Sequence, residues 1–571
     1  MDVKRLLLLI PLAVLAYLLV VQWNQDYGQA PPITDAPAIS SSDDPSVNDN
    51  SVDDESASGD SDSEGLAAPS GDDNIDSDMA DEAADPADNG RKLVAVTTDV
   101  LDVRIDPQGG DIVYAALPKH KQRLDSEQPF ILLSDNERRS YVAKSGLQLE
   151  GHDGRIAYDP ETTDYRLAEG DDELRVELEA EVNGVDVIKR YTFERGNYAV
   201  DVSYHLANQG DEPVTARFIG QLARDNSPDP SSGPALGMSS YLGTAYSSPD
   251  DRYQKVDFSD IQAGNFDNRD VEGGWVAIIQ HYFASAWAPP QEQQNLYYGT
   301  TDSRGRNVAA FAGPTQNLAE DGEATLGATL FMGPKIQDQL EAVAPHLELT
   351  VDFGWLWFLA NPLFWLLDHI HEILGNWGWS IVVLTILVKL ALFPLSAKAY
   401  KSMARMRKLG PEMQRLKEQY GDDRQKMSQE MMKFYQKEKI NPLGGCLPIL
   451  VQMPVFIALY WMLLESVELR HAPFIFWIED LSVKDPFFIL PILMGASMFL
   501  QQLLNPTPPD PMQAKIMKML PVIFTFFFLW FPAGLVIYWI VNNTISILQQ
   551  WIITRNIESD PSVGKGMKTR K

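Results

Sequence analysis

Trp379 to Leu395 reads WSIVVLTILVKLALFPL, an apolar run with a single lysine, Lys389, set inside it. A charge at the centre of a membrane span is unfavourable by roughly 2.5–3.5 kcal/mol on insertion scales, so such residues face a bundle interior or a wet cavity and mark function. The competing reading is snorkelling. Roughly 10 Å of helix separates Lys389 from Ser396, where polar sequence begins, and a lysine stem covers part of that distance. The residues on either side decide between the two.

Downstream, Ser396 to Ile440 carries twelve Lys or Arg against six acids, which places this loop in the cytoplasm by the positive-inside rule. Gly421, Asp422 and Asp423 divide it, so the segment 396–440 is expected to be a helical hairpin. Met403, Met406, Met413, Met427, Met431 and Met432 give it an adaptable apolar face, suited to packing and to clients or partners. Four further apolar runs follow, near 444–464, 486–504, 514–531 and 534–552, within a segment 441–553. The tail 554–571 is basic, with Arg555, Lys565, Lys568, Arg570 and Lys571, and is expected in the cytoplasm.

Upstream, residues 376–395 are entered from a Trp-rich stretch, 353–375, in which Asn361, Asp368, Glu372 and Gly375 fall near one face. That is the pattern of an amphipathic helix lying in the interface; a buried core helix is the plainer alternative. Residues 91–345 alternate with period two. Leu174, Val176, Leu178, Ala180 and Val182 run into Asn183-Gly184, and Val185, Val187, Tyr191 and Phe193 continue the pattern. Asn-Gly between alternating runs is a strong hairpin signal, so this region is expected to be a large antiparallel β-sandwich. His205 and His281 stand alone there and are read as structural.

Residues 24–90 hold nineteen Asp or Glu and no Lys or Arg, which is more than half of the net charge of −32. Such a stretch cannot bury enough apolar surface to order itself and is expected to be a disordered tether. Residues 1–23 place Lys4 and Arg5 before a long apolar run followed by Trp23, the pattern of an uncleaved anchor. The reading is a polytopic α-helical membrane protein of six spans, five of them forming a core, with both termini cytoplasmic and the β-domain periplasmic.

A globally acidic chain is a poor partner for nucleic acid. One cysteine, Cys446, excludes an internal disulfide, no spacing of Cys and His points to a metal, and no phosphate-binding loop is present. No Asp or Glu lies in the last five apolar runs, which disfavours an ion-coupled transporter. Apart from Lys515 and Lys518 at the head of one run, they hold instead one cation, Lys389, and neutral polar groups. Thr385 lies four residues before Lys389 on the same face, and Gln452, Asn542, Asn543 and Ser546 lie in other runs. These residues are candidates to line a wet groove around Lys389; interhelical hydrogen bonding is the alternative. Such a groove lowers the cost of bringing a hydrophilic segment part-way into the bilayer while apolar helix faces release its apolar part to lipid. A channel or transporter with a pore passing Lys389 is the rival function, and a sugar-binding enzyme built on the β-domain is a third.

The stretch Asn441-Pro-Leu-Gly-Gly-Cys-Leu-Pro running on to Gln452-Met-Pro-Val-Phe456 resembles the YidC membrane protein insertases. So do Val483-Lys-Asp-Pro-Phe-Phe-Ile-Leu-Pro-Ile-Leu-Met-Gly495 and Phe528-Leu-Trp-Phe-Pro-Ala-Gly534. The resemblance implies an insertase and folding chaperone of the bacterial inner membrane, without enzymatic activity or cofactor, acting alone or beside the Sec translocon. Nascent membrane proteins are the implied clients, with ribosome or signal-recognition components met by the cytoplasmic hairpin and tail, and the lipid bilayer as surroundings. It places Lys389 at the groove cation, most often arginine in the family, and Thr385 at a groove-lining position. Lysine keeps the charge and lacks the planar fork of arginine. Met453 and Phe456 match client-contacting positions. Tyr538-Trp539 stands where the family often has two tyrosines, and Phe527 is expected to extend that face.

Overall fold

The computed structural model describes residues 92–152, 154–231, 240–420, 423–437, 447–505 and 511–558. The anchor (1–23), the tether (24–90) and the tail beyond 558 lie outside them.

The period-two region folds into two packed sheets, one of eleven strands and one of eight. In the smaller sheet Glu173–Val182 pairs antiparallel with Val185–Glu194, with Val182 opposite Val185. Asn183 and Gly184 both have positive φ, 53° and 78°, which makes the turn between them type I′. Val176, Leu178, Val187, Tyr191 and Phe193 are buried, so the alternation places one face of this hairpin in the core. The pairing is antiparallel throughout except for one parallel pair, Val94–Thr97 with Asp164–Arg166. Trp275 and Trp287 lie fully buried between the sheets.

The second half is helical. Helix α1 (Trp357–Leu374) ends on Gly375, whose left-handed φ of 65° closes the last turn. Helix α2 (Trp377–Ala391) stops short of the apolar run that announced it. Within the expected span 376–395 the helix is not continuous: at Leu392 the chain bends by 68° into α3 (Phe393–Lys408). Pro394 opens that next helix and lacks the N–H that would continue α2. The expected hairpin 396–440 therefore begins inside α3 and holds two more helices, α4 (Gly410–Tyr420) and α5 (Arg424–Lys437). Then come α6 (Leu447–Glu465), α7 (Ile489–Leu504), α8 (Pro511–Phe527) and α9 (Ala533–Glu558).

Among the described residues no single helix is long and apolar enough to cross a membrane; α2 and α3 meet that test only as a bent pair. Helix α7 is shorter than the apolar run that announced it because a carboxylate caps its start, whereas α9 outruns its own. Asp485 accepts the backbone N–H of Leu490 at 2.7 Å and of Phe487 at 3.0 Å, so α7 starts at Ile489 rather than 486. The neighbouring connector joins two quoted motifs: Ala533 N–H donates to the Val483 carbonyl at 2.7 Å and Gly534 N–H to that of Leu481 at 2.9 Å. Gly495 lets α7 approach α8, since a Cβ there would fall 1.9 Å from Thr525 Oγ1.

Candidate functional site

Helix α2 is fixed at its start by Asn376, whose side chain accepts the Trp379 N–H at 3.0 Å and donates to the Pro473 carbonyl at 3.1 Å. Gly378, Ile381, Thr385 and Lys389 then fall at helical spacing on its buried face, while Ile386, Leu387 and Leu390 are exposed. Lys389 is 5% exposed. Its ammonium donates to Ser546 Oγ on α9 at 2.9 Å, and Ser546 in turn donates to the Asn542 carbonyl at 2.8 Å. Among the described residues this is the ammonium's one hydrogen bond, out of three N–H donors, and it has no ion-pair partner. Thr385, beside it, turns its hydroxyl proton back to the Ile381 carbonyl at 2.6 Å and leaves its oxygen free to accept. Asn542 Oδ1 and Gln549 Oε1 are buried acceptors without a partner among the described residues.

Lys389, Thr385, Ser546 and Asn542 thus gather between α2 and α9. Asn543 goes elsewhere: its amide donates to Ser497 Oγ at 3.0 Å, and Ser497 to the Met494 carbonyl at 2.6 Å, which ties α9 to α7. Gln452 belongs to a second group, donating to the Tyr538 hydroxyl at 2.5 Å.

The aromatic residues split as well. Met453 and Phe527 are 41% and 43% exposed and stand on outer faces. Phe456 packs edge-on to Trp539 at 4.7 Å and stacks on Tyr538 at 6.3 Å. Tyr538 is only 1% exposed, so it is a core residue of the helix bundle rather than part of an open face. Trp539 is half-buried against Phe524 and Phe528.

In the basic loop Met403 is buried with Tyr400 against Ile553 of α9, and serves packing. Met406 and Met431 are half-buried. Asp423 caps α5, accepting the N–H groups of Gln425 and Lys426 at 3.1 and 3.0 Å. Gly421 and Asp422 lie outside the described residues.

Sequence reasoning missed the seam between the β-domain and the helices. Lys335 and Glu465 form a buried ion pair at 3.1 Å, and the Lys335 ammonium also donates to the Thr350 carbonyl at 3.3 Å. His281 Nε2 lies 2.9 Å from the Leu464 carbonyl. Arg470 sits over the rings of Phe130 and Phe283 and donates to the Gln122 carbonyl at 2.9 Å. Burial, with Arg470 next in weight, holds the nearby His120 down at about 4. The partners lie 130 residues or more apart for Lys335–Glu465, His281–Leu464 and Gln122–Arg470, so no local pattern announces them.

Residues 369–560 match the family described as 60Kd inner membrane protein, and residues 93–366 match the YidC periplasmic domain. A relative in Stutzerimonas stutzeri, named membrane protein insertase YidC, is 54% identical over 98% of this chain and 99% of its own. One of the same name in Azotobacter vinelandii is also 54% identical, over 98% and 99%. A solved structure titled as an active YidC insertase with its first transmembrane domain resolved aligns over 80% of this chain and 93% of its own, at 18% identity and a TM-score of 0.37.

Proposed function

The chain belongs to the family of YidC membrane protein insertases, and from that premise we propose that its helices form a positively charged, hydrophilic groove through which client segments enter the inner membrane. It is an insertase with a periplasmic domain, not an enzyme, and nascent membrane proteins are what it acts on. The observation that carries the groove is Lys389. Its ammonium is buried on a face that also offers Thr385, Ser546 and Asn542, and it is matched by one hydroxyl and no carboxylate among the described residues. A buried cation so weakly matched favours acidic or polar groups brought to it.

In this reading Lys389 attracts the hydrophilic part of a client, and Thr385, Ser546 and Asn542 hydrogen-bond it in place of water. The apolar part leaves along the outer faces that carry Met453 and Phe527, with Phe456 and Trp539 behind them. Gln452 and Tyr538 hold α6 to α9 and keep that wall in shape. Asn543 supports the same helix from the far side. Six spans with both termini in the cytoplasm put the basic α3–α5 segment beside the ribosome or signal-recognition components. They put the β-domain on the opposite side, where the Sec translocon is the expected partner.

The test is a photo-crosslinking residue at 389, and separately at 453, in membranes translating a short single-span protein. Crosslinks to the nascent chain at both positions support the groove. Contact with lipid alone at 389 returns the lysine to a snorkelling anchor.

A further inference from the structure

A cavity of about 600 Å³ opens at the seam between the β-domain and the helices. Its β-domain wall is Tyr241, Tyr253 and Lys255, and its helical wall is Trp461 and Glu465 of α6. The lining is unusual for its charge. Asp229, Asp352 and Glu465 face it with Lys255 and Lys335, which leaves one net negative charge. Lys255 and Asp352 are paired, both about one-third exposed, and Lys335 and Glu465 form the buried pair beneath. The Lys255 ammonium also lies 4.6 Å from the centre of the Tyr241 ring and 5.6 Å from that of Tyr253, so two aromatic faces already hold a cation here. The Tyr253 hydroxyl is buried and has no hydrogen-bond partner among the described residues.

The level of this cavity follows from the chain that leaves it. Gly354 lines it, and the next residues, Trp355, Trp357 and Phe358, are exposed aromatics at the start of α1. Exposed Trp at a helix start marks the headgroup layer of a bilayer. Trp461, whose ring edge lies under Gly354, is an aromatic of the same level on α6.

We propose that this cavity seats the zwitterionic headgroup of an amine-bearing phospholipid, a phosphoethanolamine, from the leaflet that faces the β-domain. The proposal rests on the reading of α6 as a membrane helix. The phosphate takes the Lys255 ammonium, and the ligand's ammonium takes Asp352 and the vacated tyrosine faces. One surface ion pair is exchanged for two. An anionic headgroup without an amine makes only the first of these contacts, and adds charge to a lining that is already net negative.

The test uses the full chain purified in detergent and stripped of lipid, then offered equal phosphatidylethanolamine and phosphatidylglycerol, with retained lipid read by native mass spectrometry. Phosphatidylethanolamine is expected to be retained about tenfold over phosphatidylglycerol, a preference of the size one desolvated cation site supplies. Asp352→Asn is expected to abolish that preference, and Lys255→Met to lower retention of both lipids; each side chain is partly exposed, so folding is spared. Soluble phosphoethanolamine is expected to compete, and inorganic phosphate alone is not. Equal retention of the two lipids, or a preference unchanged by Asp352→Asn, overturns the proposal. So does displacement by a lysine-rich peptide where phosphoethanolamine has no effect, since the cavity is then a peptide site. Client insertion by the same samples is measured in parallel. Normal insertion with unselective retention sinks the headgroup site alone, whereas no insertion in any lipid sinks the insertase reading beneath it.

Discussion

Three lysines are buried among the described residues; Lys335 is neutralised by Glu465, and the other two, one in each half and neither in an ion pair, are treated in opposite ways. Lys189 in the β-domain is fully enclosed, and its ammonium donates to the carbonyls of Gly109, Gly110 and Ser145 at 2.9, 2.8 and 3.1 Å. The rings of Tyr158, Tyr191 and Tyr204 surround it at 5.2–6.0 Å. All three N–H donors are used, so nothing is left for a ligand. Lys389 is almost as buried and uses one donor, on Ser546. A saturated buried charge holds a fold together; an unsaturated one keeps binding capacity in reserve. The β-domain uses its buried ammonium for stability, and in the proposed groove the helical half holds its own ready for clients.

The comparison can be broken most directly at Lys189. Lys189→Met removes three buried hydrogen bonds from one ammonium, leaving the carbonyls to Arg155, Tyr191 and Tyr204, and is expected to destabilise the β-domain by roughly 3–5 kcal/mol, read as a fall in its thermal midpoint within the full chain. If that midpoint holds, the saturated cage is not structural and the contrast collapses.

A second, smaller effect tests the seam through pH. The folded value of His120 lies at about 4, below the ordinary 6.5 of an unfolded chain. Between those values the unfolded state binds the extra proton. The stability His120 contributes is therefore present above about pH 6.5 and is lost as pH falls towards 4. The loss is at most about 3 kcal/mol, less for the partial exposure of the ring. His120→Gln should flatten the pH profile of unfolding in that window, and an unchanged slope would assign the acid sensitivity elsewhere.

At Lys389 the expectation is the reverse of that at Lys189. Lys389→Met should lower client insertion about tenfold, near 1.4 kcal/mol, with little change in thermal midpoint, while Lys389→Arg retains most of the activity. Loss of folding in place of activity would make the two lysines alike. The smallest effect concerns Tyr538. Tyr538→Phe removes the bond from Gln452 and should cost about 1 kcal/mol of stability while leaving insertion nearly intact. A large loss of insertion would return the hydroxyl to the client path.

How far the sequence foretold these features depends on the range over which each is encoded. The hairpin around Asn183-Gly184 was legible because two residues dictate its turn and alternation dictates its register. Lys389 was legible as an anomaly, since one charge in an apolar run needs no partner to be noticed. Thr385 followed from helical spacing, but the split of Asn542 from Asn543 did not. Adjacent residues on a helix point about 100° apart, and which of them meets Ser497 is settled by the approach of α7. Tyr538 was read as an open face because its burial by α6 is a tertiary fact. The apolar run through Leu395 hid the bend at Leu392, although Pro394 marked it. The Lys335–Glu465 seam had no local signature at all.

The brevity of the helices carries a last consequence. Helices α2, α7 and α8 have 15, 16 and 17 residues. At about 1.5 Å per residue they reach roughly 22–26 Å, against a hydrocarbon layer of about 30 Å. In the proposed reading of these helices as spans, lipids beside them must shorten to meet them, at fractions of a kcal/mol per ångström of mismatch. On that reading the side of the protein formed by these three helices would act as a local solvent modifier. A segment crossing beside α2, α7 and α8 would then meet a thinner dielectric slab than in unperturbed bilayer, before any side chain has touched it.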